Sequence, residues 1–277
     1  MADSVLPPLS AAPNDAVIEF RNITYSIPPA KVVLKQLNLV VHRSETMVLL
    51  GRSGSGKTTA LKLINRLLVE TLGEVRVEGR TMAQWDPIAL RRRIGYVIQE
   101  SGLFPHYTIA ENVGVVPRLL GQTAQQISAR TDEMLRLVDL EPRAFRQRYP
   151  HQLSGGQRQR VGVARALAGD PPILLMDEPF GALDPMSRAE IQRQFKTLQQ
   201  KLQKTIVIVT HDLREALFLG NRISLLEAGR LAGSFSKTEF LNSPDERVRK
   251  YIAAFDTGEN IYPANIPESH RPAGAFG

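Results

Sequence analysis

The sequence predicts an α/β protein with a mostly parallel central β-sheet, an antiparallel β layer on its N-terminal side and a helical subdomain. Residues 51–58 match the phosphate-binding pattern G-x-x-x-x-G-K-[ST] at every fixed position. Residues 173–176 and 205–210 form continuous apolar runs. Such runs are typical of parallel strands that helices cover on both faces. The fold class is therefore expected to be that of a P-loop nucleotide-binding core.

The motif has the flanking structure that it requires, because residues 47–50 predict a buried strand and residues 59–64 predict a helix. Gly54 and Gly56 allow the backbone to curl around a polyphosphate, next to the positive end of the helix dipole. Lys57 would reach the β and γ phosphates, and the Thr58 hydroxyl would take one position on Mg²⁺. The predicted nucleotide-binding residues here are Gly51, Arg52, Ser53, Gly54, Ser55, Gly56, Lys57, Thr58 and Thr59.

Composition excludes several classes of site. The 277 residues include no cysteine, which rules out disulfides, thiolate metal sites and cysteine nucleophiles, and the five histidines are scattered. The net charge of +7 is compatible with nucleic acid or an anionic membrane surface, but Arg91, Arg92 and Arg93 are best explained as a solvated face. Because no apolar stretch reaches about 20 residues, we expect a soluble or peripheral protein.

The N-terminal part predicts a β layer. Four short antiparallel strands are expected at residues 17–20, 22–25, 32–34 and 37–41. Pro28 and Pro29 separate the first pair from the second, and the alternating residues 74–79 add a half-exposed strand.

A helical subdomain is predicted over about residues 100–168, with residues 117–149 lying outside the central sheet. Thr123 begins a capping box there, and the helix that follows places Ile127, Met134, Leu135 and Val138 on one face.

Further along the chain, Asp184 and Pro185 predict the start of a helix with a buried stripe at Ile191, Phe195, Leu198 and Leu202. A strand at 222–226, a turn and a helix at about 244–255 complete a single domain over 16–256. Residues 1–15 and 257–277 are expected to be a disordered lead-in and tail.

Polar side chains follow three apolar strands. Asp177 and Glu178 come at the end of residues 173–176, His211 follows residues 205–210, and Gln99 follows the strand-like residues 95–98. Ligands of open α/β sheets bind at this edge. We predict that Asp177 faces Mg²⁺ and that Glu178 polarises the attacking water. We also predict that His211 bonds the γ-phosphate and that water, and that the Gln99 amide binds Mg²⁺ and water.

Residues 153–157, Leu-Ser-Gly-Gly-Gln, precede a helix and form a second anion site with Ser154 as the N-cap. One nucleotide per chain and two such sites are reconciled by a head-to-tail pair of identical chains. In that pair Ser154, Gly155, Gly156 and Gln157 of one copy close over the nucleotide that Lys57 of the other copy holds.

The P-loop, Gln99, residues 153–157, Asp177-Glu178, Ala182-Leu183-Asp184 and His211, in this order, resemble the nucleotide-binding subunit of ABC transporters over roughly residues 17–240. The resemblance implies ATP and Mg²⁺ as cofactors, with Thr58, Gln99 and Asp177 on the metal side. It implies Glu178 as catalytic base, His211 as switch histidine, Gln99 as the loop that couples to a membrane partner, 153–157 as the signature and Asp184 in a dimer-contact loop. The family's adenine-stacking ring falls at Ile27, so we assign that role to the nearby Tyr25.

The resemblance also implies partners: a second copy, transmembrane permease subunits and, indirectly, a solute-binding protein, at the cytoplasmic face of the inner membrane. No nucleic acid is expected, although a soluble ABC-type ATPase acting on nucleic acid is the rival class. Residues 94–99, 102–106 and 108–112 are similar to importers of glycine betaine, choline and related quaternary-ammonium osmolytes. Importers of polar amino acids are the alternative.

Overall fold

The computed structural model describes residues 15–29, 31–99 and 102–255. The strands are β1 Ala16–Ile27, β2 Lys31–His42, β3 Thr46–Leu50, β4 Leu72–Val77, β5 Arg80–Thr81, β6 Ile94–Val97, β7 Ile173–Asp177, β8 Thr205–Thr210, β9 Arg222–Glu227 and β10 Arg230–Ser236. The α-helices are α1 Lys57–Ile64, α2 Pro87–Arg92, α3 Ile109–Leu119, α4 Ala124–Leu137, α5 Pro142–Phe145, α6 Gly155–Leu167, α7 Pro185–Leu202, α8 Leu213–Leu219, α9 Lys237–Leu241 and α10 Glu246–Phe255. The predicted disordered ends lie almost wholly outside the described residues.

The central sheet has six strands in the order β10-β9-β3-β8-β7-β6. Every neighbouring pair from β9 to β6 is parallel, and only β10 runs antiparallel to its neighbour. Alternate residues of β3 enter two separate apolar cores, Met47 and Leu49 on one face and Val48 and Leu50 on the other. The predicted mostly parallel sheet, buried on both faces, is confirmed.

The N-terminal layer is a four-stranded antiparallel sheet in the order β2-β1-β4-β5. The prediction of four short strands before the P-loop was wrong, because the two halves of β1 and the two halves of β2 are continuous. Irregular residues are absorbed within the ladder: Asn22 has φ 50°, and its backbone N–H donates to Asn38 Oδ1. Side-chain hydrogen bonds thus replace ladder bonds at a bulge instead of ending the strand.

Helices α3 to α6, which together span residues 109–167, lie within the predicted helical subdomain. Thr123 Oγ1 accepts from the Gln126 N–H, so the capping box that precedes α4 is confirmed. Pro117 lies inside α3, which begins at Ile109, so the helices of this region start before residue 117 but within the predicted range of about 100–168. Thr108 caps α3 through a second capping box that the sequence reasoning did not use.

The predicted arginine face at residues 91–93 is exposed, but two of its members are engaged. Arg91 donates to the carbonyl oxygens of Asn65 and Arg66, and Arg93 forms two hydrogen bonds to Glu78. These contacts tie α2 to α1 and to the N-terminal layer.

Within the described ranges, no helix is both long and apolar enough to cross a membrane.

Candidate nucleotide-binding site

The P-loop lies between β3 and α1, as its pattern predicts. Gly54 and Gly56 have φ angles of 79° and 104°, a region that favours glycine, and a Cβ on Gly56 would lie 2.6 Å from Leu34 Cδ2. The buried Lys57 Nζ donates to the carbonyl oxygens of Gly51 at 2.8 Å and Arg52 at 3.0 Å. The P-loop carbonyls therefore hold the Lys57 ammonium group inside the loop.

Two oxygen-bearing side chains meet beside the loop. Thr58 Oγ1 donates to Asp177 Oδ1 at 2.9 Å, which joins the first turn of α1 to the end of β7. Asp177 is buried, and the Tyr96 hydroxyl from β6 lies 3.5 Å from its other oxygen. Hydroxyl and carboxylate oxygens are the ligands that Mg²⁺ prefers.

Burial governs the electrostatics of these groups. It raises the pKa of Asp177, with the Glu178 charge acting in the same direction and the Thr58 hydrogen bond acting against it. It lowers the pKa of Lys57, against the charges of Glu178 and Asp177. Burial thus disfavours the charged form of both groups, and a nearby counter-charge would stabilise it. Mg²⁺ would do so for Asp177, and a polyphosphate would do so for Lys57.

Glu178 follows β7 in a left-handed backbone conformation with φ 44°. Its N–H donates to the carbonyl of Val209 on β8, so the turn is fixed to the neighbouring strand. Its Oε2 lies 3.3 Å from His211 Nδ1. This conformation is uncommon for non-glycine residues, but the chain also adopts it away from the site, for example at Asn22, so the contact with His211 and not the φ angle points to a function.

His211 lies in the turn between β8 and α8. The hydroxyl of Thr210 accepts from the Asp212 N–H at 3.0 Å, and Asp212 in turn caps α8. The Tyr251 hydroxyl, on α10, donates to the His211 carbonyl at 2.8 Å. The turn is therefore held from α10 as well as from its own helix.

The predicted signature residues lie elsewhere. Ser154 caps α6, its Oγ accepting from the Gln157 N–H, and Gly155 lines a cleft of about 310 Å³ with Gln99, Ala182 and Leu183. A different pocket of about 160 Å³ is lined by residues 52–55, residues 225–228, Arg247 and Tyr251. One chain thus brings together Lys57, Thr58, Asp177, Glu178 and His211, and places Gln99 with the signature in a second cleft.

The residues at the P-loop fit a phosphate and a metal. Among the described residues none hydrogen-bonds to the buried Ser55 Oγ, which is free to accept or donate inside the loop. The same residues include no group of three histidine or acidic side chains that could hold a metal alone. Thr58 and Asp177 would therefore share the ion with phosphate oxygens.

Tyr25, the predicted adenine contact, is half-buried on β1 and packs against the core under the N-terminal layer. Asp184 caps α7 by accepting from the Ser187 N–H, so it stands at the start of a helix as predicted.

The family profile described as ABC transporter matches residues 34–181, which span the P-loop, the signature and the Asp177-Glu178 pair. The chain belongs to the ABC transporter family. An osmoprotectant import ATP-binding protein of Salmonella typhimurium is 51% identical over 227 residues, covering 82% of this chain and 58% of that protein. A choline transport ATP-binding protein of Bacillus subtilis is 44% identical over 256 residues, covering 92% of this chain and 66% of that protein. The chain thus spans about three fifths to two thirds of the length of these curated relatives.

The fold comparison agrees with the family. The dimeric structure of an ATP-binding cassette in a post-hydrolysis state, bound to ADP and Pi, superimposes with a TM-score of 0.71 and 36% identity. It covers 79% of this chain and 98% of the solved one. The α/β fold of an ABC cassette is thereby confirmed.

Three residues near the site were missed from the sequence. Tyr96 was noted only as part of an apolar strand, and Tyr251 only as part of a C-terminal helix. Glu215 is a buried acid on the inner face of α8, beside Ala216 and Leu219. A carboxylate on an otherwise apolar helix face, four residues after His211, is the pattern that could have drawn attention to it.

Proposed function

We propose that this chain is the ATP-hydrolysing subunit of a membrane importer for quaternary-ammonium osmolytes. The observation that carries the ATPase assignment is the meeting of Lys57, Thr58, Asp177, Glu178 and His211 at one edge of the sheet. A phosphate-binding lysine, a hydroxyl–carboxylate pair for Mg²⁺ and a carboxylate next to an imidazole are the groups that phosphoryl transfer to water requires.

Each residue has a distinct role in this proposal. Lys57 and the loop N–H groups hold the phosphates of ATP, and Thr58 and Asp177 hold Mg²⁺, which neutralises developing charge on the phosphate oxygens. Glu178 orients the attacking water and accepts its proton, and His211, whose Nδ1 lies 3.3 Å from Glu178 Oε2, would contact the same water and the γ-phosphate. Gln99 lies in the cleft lined by Gly155 and would complete the metal and water contacts only when the two copies close over ATP, and Tyr25 would face adenine.

The site is completed by a second copy. Gly155, next to Ser154, lines a cleft separate from the P-loop pocket of the same chain. This separation supports a head-to-tail dimer in which the signature of each copy closes over the ATP held by the other. The dimeric cassette that superimposes on this chain has the same fold and supports that arrangement.

Permease subunits at the cytoplasmic face of the membrane are the further partners, with a solute-binding protein acting through them. The curated relatives support osmolytes as the transported solute, since one is named as an osmoprotectant import protein and another as a choline transport protein. A nucleic-acid-directed ATPase is disfavoured by these relatives, although the net charge of +7 is compatible with it.

Uptake measurements test which solute the importer transports. Cells lacking this chain, cells supplied with it and cells supplied with its Glu178→Gln variant are compared for uptake of labelled choline, glycine betaine and a polar amino acid. We expect choline or betaine uptake only with the unaltered chain. If amino-acid uptake alone depends on it, the osmolyte assignment is wrong.

A further inference from the structure

The turn that carries His211 is held by two side chains that belong to none of the sequence motifs. Glu215, on α8, lies beneath the turn and is only 4% exposed. Tyr251, on α10, approaches from the other side and reaches the main chain of His211 itself. The two contacts come from different helices, so they fix the turn at independent points.

The first contact is a short chain of hydrogen bonds. The Thr210 hydroxyl accepts from the Asp212 N–H at 3.0 Å and donates to Glu215 Oε2 at 3.1 Å. Because a hydroxyl has one proton, accepting from Asp212 leaves that proton for Glu215. Glu215 therefore accepts a hydrogen bond from the Thr210 hydroxyl, and Thr210 immediately precedes His211.

Glu215 is suited to this role as an uncharged acid. Burial raises its pKa to about 8, while the Thr210 hydrogen bond and the charge of Arg188 on α7 act in the opposite direction. The charges of Asp212 and Glu178 also face it and raise the pKa further. A neutral carboxyl avoids placing a third negative charge beside Glu178.

The second contact joins the C-terminal helix to the site. The Tyr251 ring lines the pocket formed by the P-loop and residues 225–228, and it stacks on Phe255 at 5.1 Å. Its hydroxyl donates to the His211 carbonyl oxygen, an acceptor at the point where β8 has ended. Helix α10 is thus connected directly to the backbone of the histidine that faces Glu178.

We propose that Glu215 and Tyr251 are positioning residues that fix the backbone on both sides of His211 and thereby set its imidazole against Glu178. This inference rests on the proposed ATPase function. The Tyr251 ring lines the P-loop pocket, but its hydroxyl bonds to the His211 carbonyl, and Glu215 is buried beneath the turn, so the hydroxyl and the carboxyl both act through His211. Helix α10 would then contribute to hydrolysis through its contact with His211, in addition to packing against the core.

Kinetics of Tyr251→Phe test the proposal, because this change removes only the hydroxyl. Loss of one hydrogen bond predicts a fall in kcat of roughly threefold to tenfold, with KM for ATP within about twofold of the original. Glu215→Leu should show the same pattern, and Glu215→Gln, which keeps an acceptor for Thr210, should retain more turnover than Glu215→Leu. Tyr107→Phe is the control, since the Tyr107 ring packs against Phe104 and His106, away from this turn.

A spectroscopic measurement separates positioning from a general loss of structure. The imidazole ¹⁵N resonances of His211, assigned by comparison with His211→Gln, should shift in Tyr251→Phe and Glu215→Leu and stay in place in Tyr107→Phe. A wild-type kcat together with unmoved His211 resonances in Tyr251→Phe would overturn the proposal. If the unaltered protein hydrolyses no ATP, the ATPase assignment fails, and the resonances alone still decide whether Tyr251 and Glu215 position His211.

Discussion

Glu178 Oε2 lies 3.3 Å from His211 Nδ1, although the two residues follow different strands of the central sheet, β7 and β8. The register of β7 and β8 produces this contact: Asp177 pairs with Val209, and the next N–H, that of Glu178, donates to the Val209 carbonyl. The carboxylate of Glu178 and the imidazole of His211 therefore lie side by side, just beyond the carboxyl ends of β7 and β8. A water molecule that Glu178 activates would also lie within reach of His211.

The contact between Thr58 and Asp177 predicts how the metal is bound. Thr58→Val keeps the shape of the side chain and removes the hydroxyl, so half-maximal stabilisation by ATP should need on the order of tenfold more Mg²⁺. Thermal unfolding at fixed ATP and increasing Mg²⁺ measures this without turnover. Thr197→Val, on the exposed face of α7, is the matched control. An unchanged Mg²⁺ requirement in Thr58→Val would remove Thr58 from the metal site.

The separation of the signature from the P-loop predicts complementation between inactive variants. Lys57→Ala should lose phosphate binding, and Ser154→Arg should block closure over the partner's nucleotide. Mixed dimers contain one site with both changes and one site with neither, so mixing should restore part of the ATPase rate. Phosphate release by each variant alone and by the mixture measures it. A mixture no more active than its components would argue against a site shared between two copies.

ATP should also drive association of the Glu178→Gln variant, because bound ATP that is not hydrolysed keeps the two copies closed. Light scattering at high protein concentration with Mg²⁺ should report a dimer with ATP and a monomer with ADP. A monomer under both conditions would contradict the head-to-tail arrangement.

Glu215 predicts a pH dependence of stability. Its folded pKa of about 8 lies above the ordinary value of 4.5, so the folded state holds the proton more tightly than the unfolded state. The stabilisation from this proton is complete below pH 4.5 and is lost as pH rises towards 8, by at most about 1.4 kcal/mol per pH unit. Glu215→Gln cannot ionise, so its free energy of unfolding should fall less over this range. Urea unfolding at several pH values measures both proteins, and identical slopes would show that Glu215 is not held neutral.

Much of the site could be predicted from the sequence because its residues follow strands whose apolar runs are unambiguous. The ends of β3, β7 and β8 fix Lys57, Asp177 and His211 at one edge, since the carboxyl ends of parallel strands meet there. The continuity of β1 could not be predicted, because it depends on the pairing of Asn22 with Asn38, sixteen residues away in sequence. The roles of Glu215 and Tyr251 were also hidden, since each is defined by a contact with the turn at His211.

Phosphate release by purified Glu178→Gln, measured beside its affinity for ATP, tests the central assignment most directly. We expect hydrolysis to fall by at least about 100-fold, because a general base is lost, while ATP affinity stays within a few-fold of the original. Glu133→Gln, which alters an exposed carboxylate on α4, should hydrolyse ATP like the unaltered chain. Near-normal hydrolysis by Glu178→Gln would contradict the proposal that Glu178 activates the water.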